Sequence, residues 1–250
     1  MTSKQSKTVE YENEYDYYQK TLANKHRVYV DKGKMGIRPS LRAIKDIYHG
    51  MELLASLFKG VARAKRVNVL LRRTADTVSG VQGYLKTRKS YTLENWLTEI
   101  EMTLYLFPDK EYYEALFIHE YTHHLLEIAE CIGGRNQLYR IASLYLADST
   151  LQRHPYINQF SEEIASPIDF QENIVPYLAK EDAYFFDYNE LLTRNTEYLV
   201  LEYLQKQLPK DDIRYYYVQQ ELTQRYEKLP LPTLERRRLV HDRLFSLLRV

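Results

Sequence analysis

Cysteine is almost absent from this chain. Cys131 is the only one, so an intramolecular disulfide is excluded and a reducing compartment, the cytoplasm, is expected. A dominant charge of one sign is also missing. The formal net charge is +1, which argues against nucleic acid as the main partner. No hydrophobic run is long: the most apolar stretch, GMELLASLFKGVA at 50–62, carries Glu52 and Lys59 and is too short to cross a bilayer. The opening MTSKQSKTVEYENEYDYY is polar and then acidic, without the apolar core of a secretory signal. A soluble chain with no membrane partner is expected.

Glycine is scarce, with eight in 250 residues, and together with long patterned stretches this points to a mostly helical protein. A hydrophobic content of 44% and a charged content of 28% exclude wholesale disorder. The length suffices for one large core or two small ones. Tryptophan occurs once and phenylalanine eight times, against 24 tyrosines. Tyrosine is expected at core edges, its hydroxyl reaching water or backbone.

Helical spacing is read over 8–25 and over 40–64, where Leu41, Ile44, Ile47, Tyr48, Met51, Leu54 and Leu57 recur behind a Pro39-Ser40 start signal. Short β-forming runs follow at 66–71 and 80–86. In EIEMTLYLF (99–107), Ile100, Met102, Leu104 and Leu106 alternate with Glu101, Thr103 and Tyr105, the pattern of a half-buried strand. Further helices are predicted at 110–132 with a Gly133-Gly134 stop, and at 136–153, 181–207, 212–228 and 233–249, the last with Thr233 as N-cap. The fold class is therefore α+β, predominantly helical. Neither a repeat nor a linker marks a boundary, so one domain is expected over 1–250. It comprises a helical extension at 1–65, a core at 66–207 and C-terminal helices at 208–250. The basic stretch at 59–89 is read as a solvated face on a sheet edge, where charge discourages strand pairing between molecules.

Histidine is sparse as well, seven in all, yet three fall in FIHEYTHHLL at 117–126. Positions i and i+4 of a helix lie on one face, so His119 and His123 present two imidazoles to one point. Glu120 is rotated from them, where its carboxylate can reach a water held by a metal at that point. This is the His-Glu-x-x-His pattern. Its flanks, Phe117, Ile118, Leu125 and Leu126, are apolar, and burying histidines beside a carboxylate is costly unless something pairs them. A metal does so. His124 points about a hundred degrees away from His123 and is read as a flanking residue.

HEYTHH, in the order strand 99–107, tight turn, motif helix 110–132, resembles the zincin metallopeptidases. The metzincin extension is missing, since Leu126 and Ala129 stand where its glycine and third histidine would be. The resemblance therefore implies the gluzincin arrangement: Zn2+ on two histidines and a later carboxylate, with an open position for catalysis. Glu197 is the first candidate, because Val200, Leu201 and Leu204 place it on an apolar stripe and NTEYLVLEY resembles a gluzincin ligand helix. Asp148 is the main rival and Glu190 the third. By the same resemblance Glu120 is the general base, and Tyr188 or Tyr184 donates to the oxyanion. The sheet would pack on the motif helix, with 80–86 or 99–107 as the edge strand for an extended peptide or protein substrate. A second reading, a helical interaction module with an accidental or inactive motif, is separated from the enzyme by metal content.

Overall fold

Val28 and Val30 are buried while Tyr29 and Asp31 are not, and this alternation makes Val28–Asp31 a short strand, β1, that the helical spacing around it concealed. It follows α1 (Ser3–Thr21) and a π-helical turn at Leu22–His26, from which Arg27 turns the chain with a positive φ of 59°. The structure is a computed structural model. It describes residues 3–73, 82–85, 92–107, 110–147, 168, 170–178, 183–184, 186–226 and 232–249.

α2 runs over Ile37–Leu57, with Pro39 in its first turn where a missing N–H costs little. It ends earlier than the predicted 64 because the chain leaves through Gly60, at φ 76°, to enter β2 (Arg66–Arg73). β3 (Gly83–Leu85), α3 (Leu93–Thr98) and β4 (Glu99–Leu106) follow. The sheet order is β1-β2-β4-β3, with β1, β2 and β4 parallel and β3 antiparallel to β4. This mixed sheet with a helical majority is the α+β class read from the sequence. β4 departs from simple alternation: Thr103 and Tyr105 are buried along with Met102, Leu104 and Leu106, the pattern of a strand in a largely parallel sheet with both faces covered. β2 also has a partner on each side, so Arg66, Arg72 and Arg73 sit at strand ends rather than on a sheet edge. There Arg66 pairs with Glu99 and Arg72 with Asp31.

The motif helix α4 spans Glu114–Gly133. It starts after the predicted 110 because the Tyr113 N–H goes to Asp46 Oδ2 (2.7 Å) and its hydroxyl donates to the Phe107 carbonyl (3.1 Å). It stops as expected, at Gly134 in positive φ, whose N–H returns to the Glu130 carbonyl. α5 (Arg135–Leu146), α6 (Tyr188–Gln207), α7 (Ile213–Tyr226) and α8 (Leu234–Leu248) complete the described elements. The helix predicted at 181–207 is interrupted: residues 183, 184 and 186 are helical, and α6 starts anew after a bend at Asp187, whose carboxylate accepts the N–H groups of Asn189 and Glu190. Thr233 caps α8 through the Arg236 N–H.

The chain divides into two compact units, 1–59 with 63–124, and 60–62 with 125–250, so the division falls inside α4. In the first unit α1 packs along α2, and Gly50 of α2 lies where a Cβ would stand 3.0 Å from Phe117 Cδ1. In the second, α6 packs with α5, α7 and α8, and residues 60–62 join through the Ala62 N–H to the Leu248 carbonyl. Among the described residues no helix is long and apolar enough to cross a membrane.

Candidate metal centre

Helical spacing brings His119 and His123 together as the sequence requires. Their Nε2 atoms face each other at 3.1 Å, with ring centroids 4.8 Å apart and planes at 84°. Both rings turn the same nitrogen toward one point, and edge-on packing lets them do so without stacking. His119 and Glu120 are buried.

Glu120 projects toward β3. A Cβ built on Gly83 would lie 2.7 Å from Glu120 Oε1 and 3.1 Å from its Cδ, so the carboxylate rests against bare strand backbone. Among the described strands β3 is the outermost, beyond β4. Of the two stretches named as edge candidates, the one containing Gly83–Leu85 is at the edge and 99–107 is interior.

His124 faces the opposite way. It is fully buried, its Nε2 accepts the Ala64 N–H at 3.0 Å, and burial pushes its pKa down to about 3. It is a neutral core residue beside Trp96 and Tyr121, with ring centroids 6.2 and 5.6 Å away. Burial likewise pushes the Tyr121 hydroxyl up to about 12, against the opposing pull of Arg63.

Two of the candidate carboxylates, Glu190 and Glu197, stand on α6. Glu190 lies in its first turn, paired with Arg194 (Oε2 to Nη2, 3.4 Å), whose guanidinium lies over the Tyr184 ring at 4.8 Å. Burial, then the Glu190 charge, pushes the Tyr184 hydroxyl up to about 12. Glu197 is fully buried two turns further along. Among the described residues, His119, His123 and Glu190 make up one candidate group of ligands. Such a His/His/Glu group can bind a metal ion. Glu197 is not a member of it, and Asp148 lies outside the described residues. Positions 190 and 197 are separated by seven residues, so they share a helix face but differ by about 10 Å along the axis.

Tyr188 is engaged elsewhere. Its hydroxyl donates to Glu130 Oε2 at 2.7 Å, Arg135 Nε holds the other oxygen at 3.0 Å, and Tyr139 packs edge-on against the ring. Burial and this hydrogen bond raise the pKa of the phenol. Glu130 lies seven residues beyond His123, about 10 Å along α4.

Two neighbours of the site were missed by sequence reasoning. Arg194 had a legible signal, the i,i+4 spacing from Glu190. Gly83 had a weaker one, a glycine inside a β-forming run, which often marks close approach of another group. Comparison with protein-family models, with curated proteins and with solved structures gave no match to this chain.

Proposed function

We propose that this chain is a zinc-dependent peptidase of gluzincin type, with His119, His123 and Glu190 as ligands and Glu120 as general base. The observation that carries the reading is the facing pair of Nε2 atoms, 3.1 Å apart, with the Glu120 carboxylate seated beside the edge strand. Two nitrogens bound tetrahedrally at about 2.0–2.1 Å from zinc stand about 3.3 Å apart, so the rings are already near ligand spacing. Two imidazoles and a carboxylate suit zinc and leave a fourth position open.

Bound zinc would acidify a water and polarise the scissile carbonyl. Glu120 takes the proton from the attacking water and delivers it to the leaving amine. Tyr184, over Arg194 and close to Glu190, is the donor assigned to the developing oxyanion, since Tyr188 is committed to Glu130. The substrate is an extended peptide or protein segment. It pairs with β3, the outermost strand beyond β4 among the described residues. The single cysteine and the net charge of only +1 support a cytoplasmic enzyme that acts on protein rather than on nucleic acid or membranes.

Glu120→Gln keeps the size and polarity of the side chain but cannot accept the proton. Zinc-loaded Glu120→Gln protein is expected to hold one zinc per chain and to hydrolyse labelled casein at least about a hundredfold more slowly than wild type. Hydrolysis at the wild-type rate by this variant would remove Glu120 from the mechanism. Wild-type protein without zinc after dialysis would favour the interaction-module reading instead.

A further inference from the structure

Glycine is disfavoured inside strands, because it loses more backbone entropy than other residues and has no side chain to pack. At Gly83 the backbone does not call for it. Only Gly33, Gly60 and Gly134 have a positive φ among the described glycines, so residue 83 is a strand position that an L-residue can adopt. What it lacks is room. A Cβ there would meet Glu120 Oε1 at 2.7 Å and both Cδ and Cγ at 3.1 Å. The orientation agrees with the pleat, since the next side chain, Tyr84, is exposed and packs on Tyr105 of β4 with ring centroids 6.2 Å apart. The register is fixed as well. Gly83 stands opposite Leu104, and the Tyr105 N–H donates to the Gln82 carbonyl at 2.9 Å. Antiparallel pairing then turns the Gln82 and Tyr84 polar groups toward β4 and those of Gly83 away from it.

We propose that Gly83 is a positioning residue for Glu120: the space where its side chain would be seats the carboxylate, and any side chain at 83 turns that carboxylate away. The inference rests on the reading of Glu120 as the proton acceptor. The colliding atom is the far end of a flexible side chain, so the collision is relieved by rotating Glu120 rather than by moving the strand. The fold and the two histidines keep their places while the base loses its own.

Acetohydroxamate reports on this without a substrate. It chelates zinc through its two oxygens, and its hydroxyl proton passes to a carboxylate beside the metal, so its affinity depends on where Glu120 points. Wild type, Gly83→Ala, Glu120→Gln and the double variant are compared for zinc content, for melting temperature with chelator present, and for acetohydroxamate Kd by calorimetry. Gly83→Ala is expected to keep one zinc per chain and to melt within about 2 °C of wild type. It should bind acetohydroxamate about ten- to a hundredfold more weakly. The double variant should be no weaker than Glu120→Gln alone, because both changes remove one interaction. Wild-type affinity in Gly83→Ala, with affinity lost in Glu120→Gln, overturns the role of Gly83 and leaves the peptidase reading standing. Wild-type affinity in Glu120→Gln overturns the reading itself, and this inference with it. Loss of zinc or failure to fold in Gly83→Ala also overturns it, since the effect then lies in the ligands or the strand.

Discussion

Arg194 Nη2 stands 3.4 Å from Glu190 Oε2, one helical turn away on α6, with side chains 9% and 13% exposed. The guanidinium keeps the carboxylate in a defined place, and its charge will be felt when that carboxylate is neutralised. Glu190→Gln is expected to abolish stoichiometric zinc binding. It should also lower the stability of the metal-free protein by about 1–3 kcal/mol, because a charge-assisted hydrogen bond becomes a neutral one. Zinc per chain and urea unfolding with chelator present test both halves. Glu197→Gln should keep its zinc, and the opposite pattern in the two variants would move the third ligand to Glu197.

His124 belongs to the core and His123 to the proposed metal centre. His124→Leu should retain one zinc per chain yet lose about 1–3 kcal/mol, since the buried Ala64 N–H loses its acceptor. His123→Gln should lose most of its zinc. Equal zinc loss from the two variants would contradict the helix face described above.

Tyr188 braces α6 against the C-terminal half of α4 through Glu130. Tyr188→Phe removes the 2.7 Å hydrogen bond but leaves Glu130 its Arg135 partner. A stability loss of about 1–2 kcal/mol is expected, with zinc content and casein hydrolysis unchanged. Slower hydrolysis at unchanged stability would return Tyr188 to the chemistry.

Acid should weaken the fold through His241. Burial, followed by Arg249, lowers its pKa to about 4 against a partial pull from Asp242, and its ring lies 4.2 Å from that of Phe245. Below the unfolded-state pKa of about 6.5 the unfolded chain takes up a proton that the folded chain refuses. The stability present at neutral pH is therefore lost as pH falls from about 6.5 toward 4. Between pH 7 and pH 5 the loss from this residue is about 1–2 kcal/mol. His241→Phe should flatten that slope in urea unfolding with chelator present, and an unchanged slope would assign it to other groups.

Much of the fold was legible because helices announce themselves by local rules. The 3.6-residue apolar period, the Gly133-Gly134 stop and the Thr233 cap each act within one or two turns, and the structure carries all three. β1 escaped because four residues are too few to set a period, and its stability comes from pairing with β2, 39 positions away (Val28 with Val67). The start of α4 escaped for the same reason, since the acceptor of the Tyr113 N–H is Asp46, on another helix.

The pairing of His119 with His123 was determined by the sequence alone, because a four-residue step on a helix leaves the rings no other relation. The carboxylate could not be. Glu190 and Glu197 differ by two turns on one helix, so periodicity gives them the same face. No local rule separates them, because 67 positions separate His123 from Glu190 (123 to 190) and only the tertiary fold relates residues so far apart. Gly83 is the same case in smaller compass: its type is written in the sequence, but the Glu120 carboxylate that needs its missing side chain lies 37 positions away (83 to 120) and reaches it only through the tertiary fold.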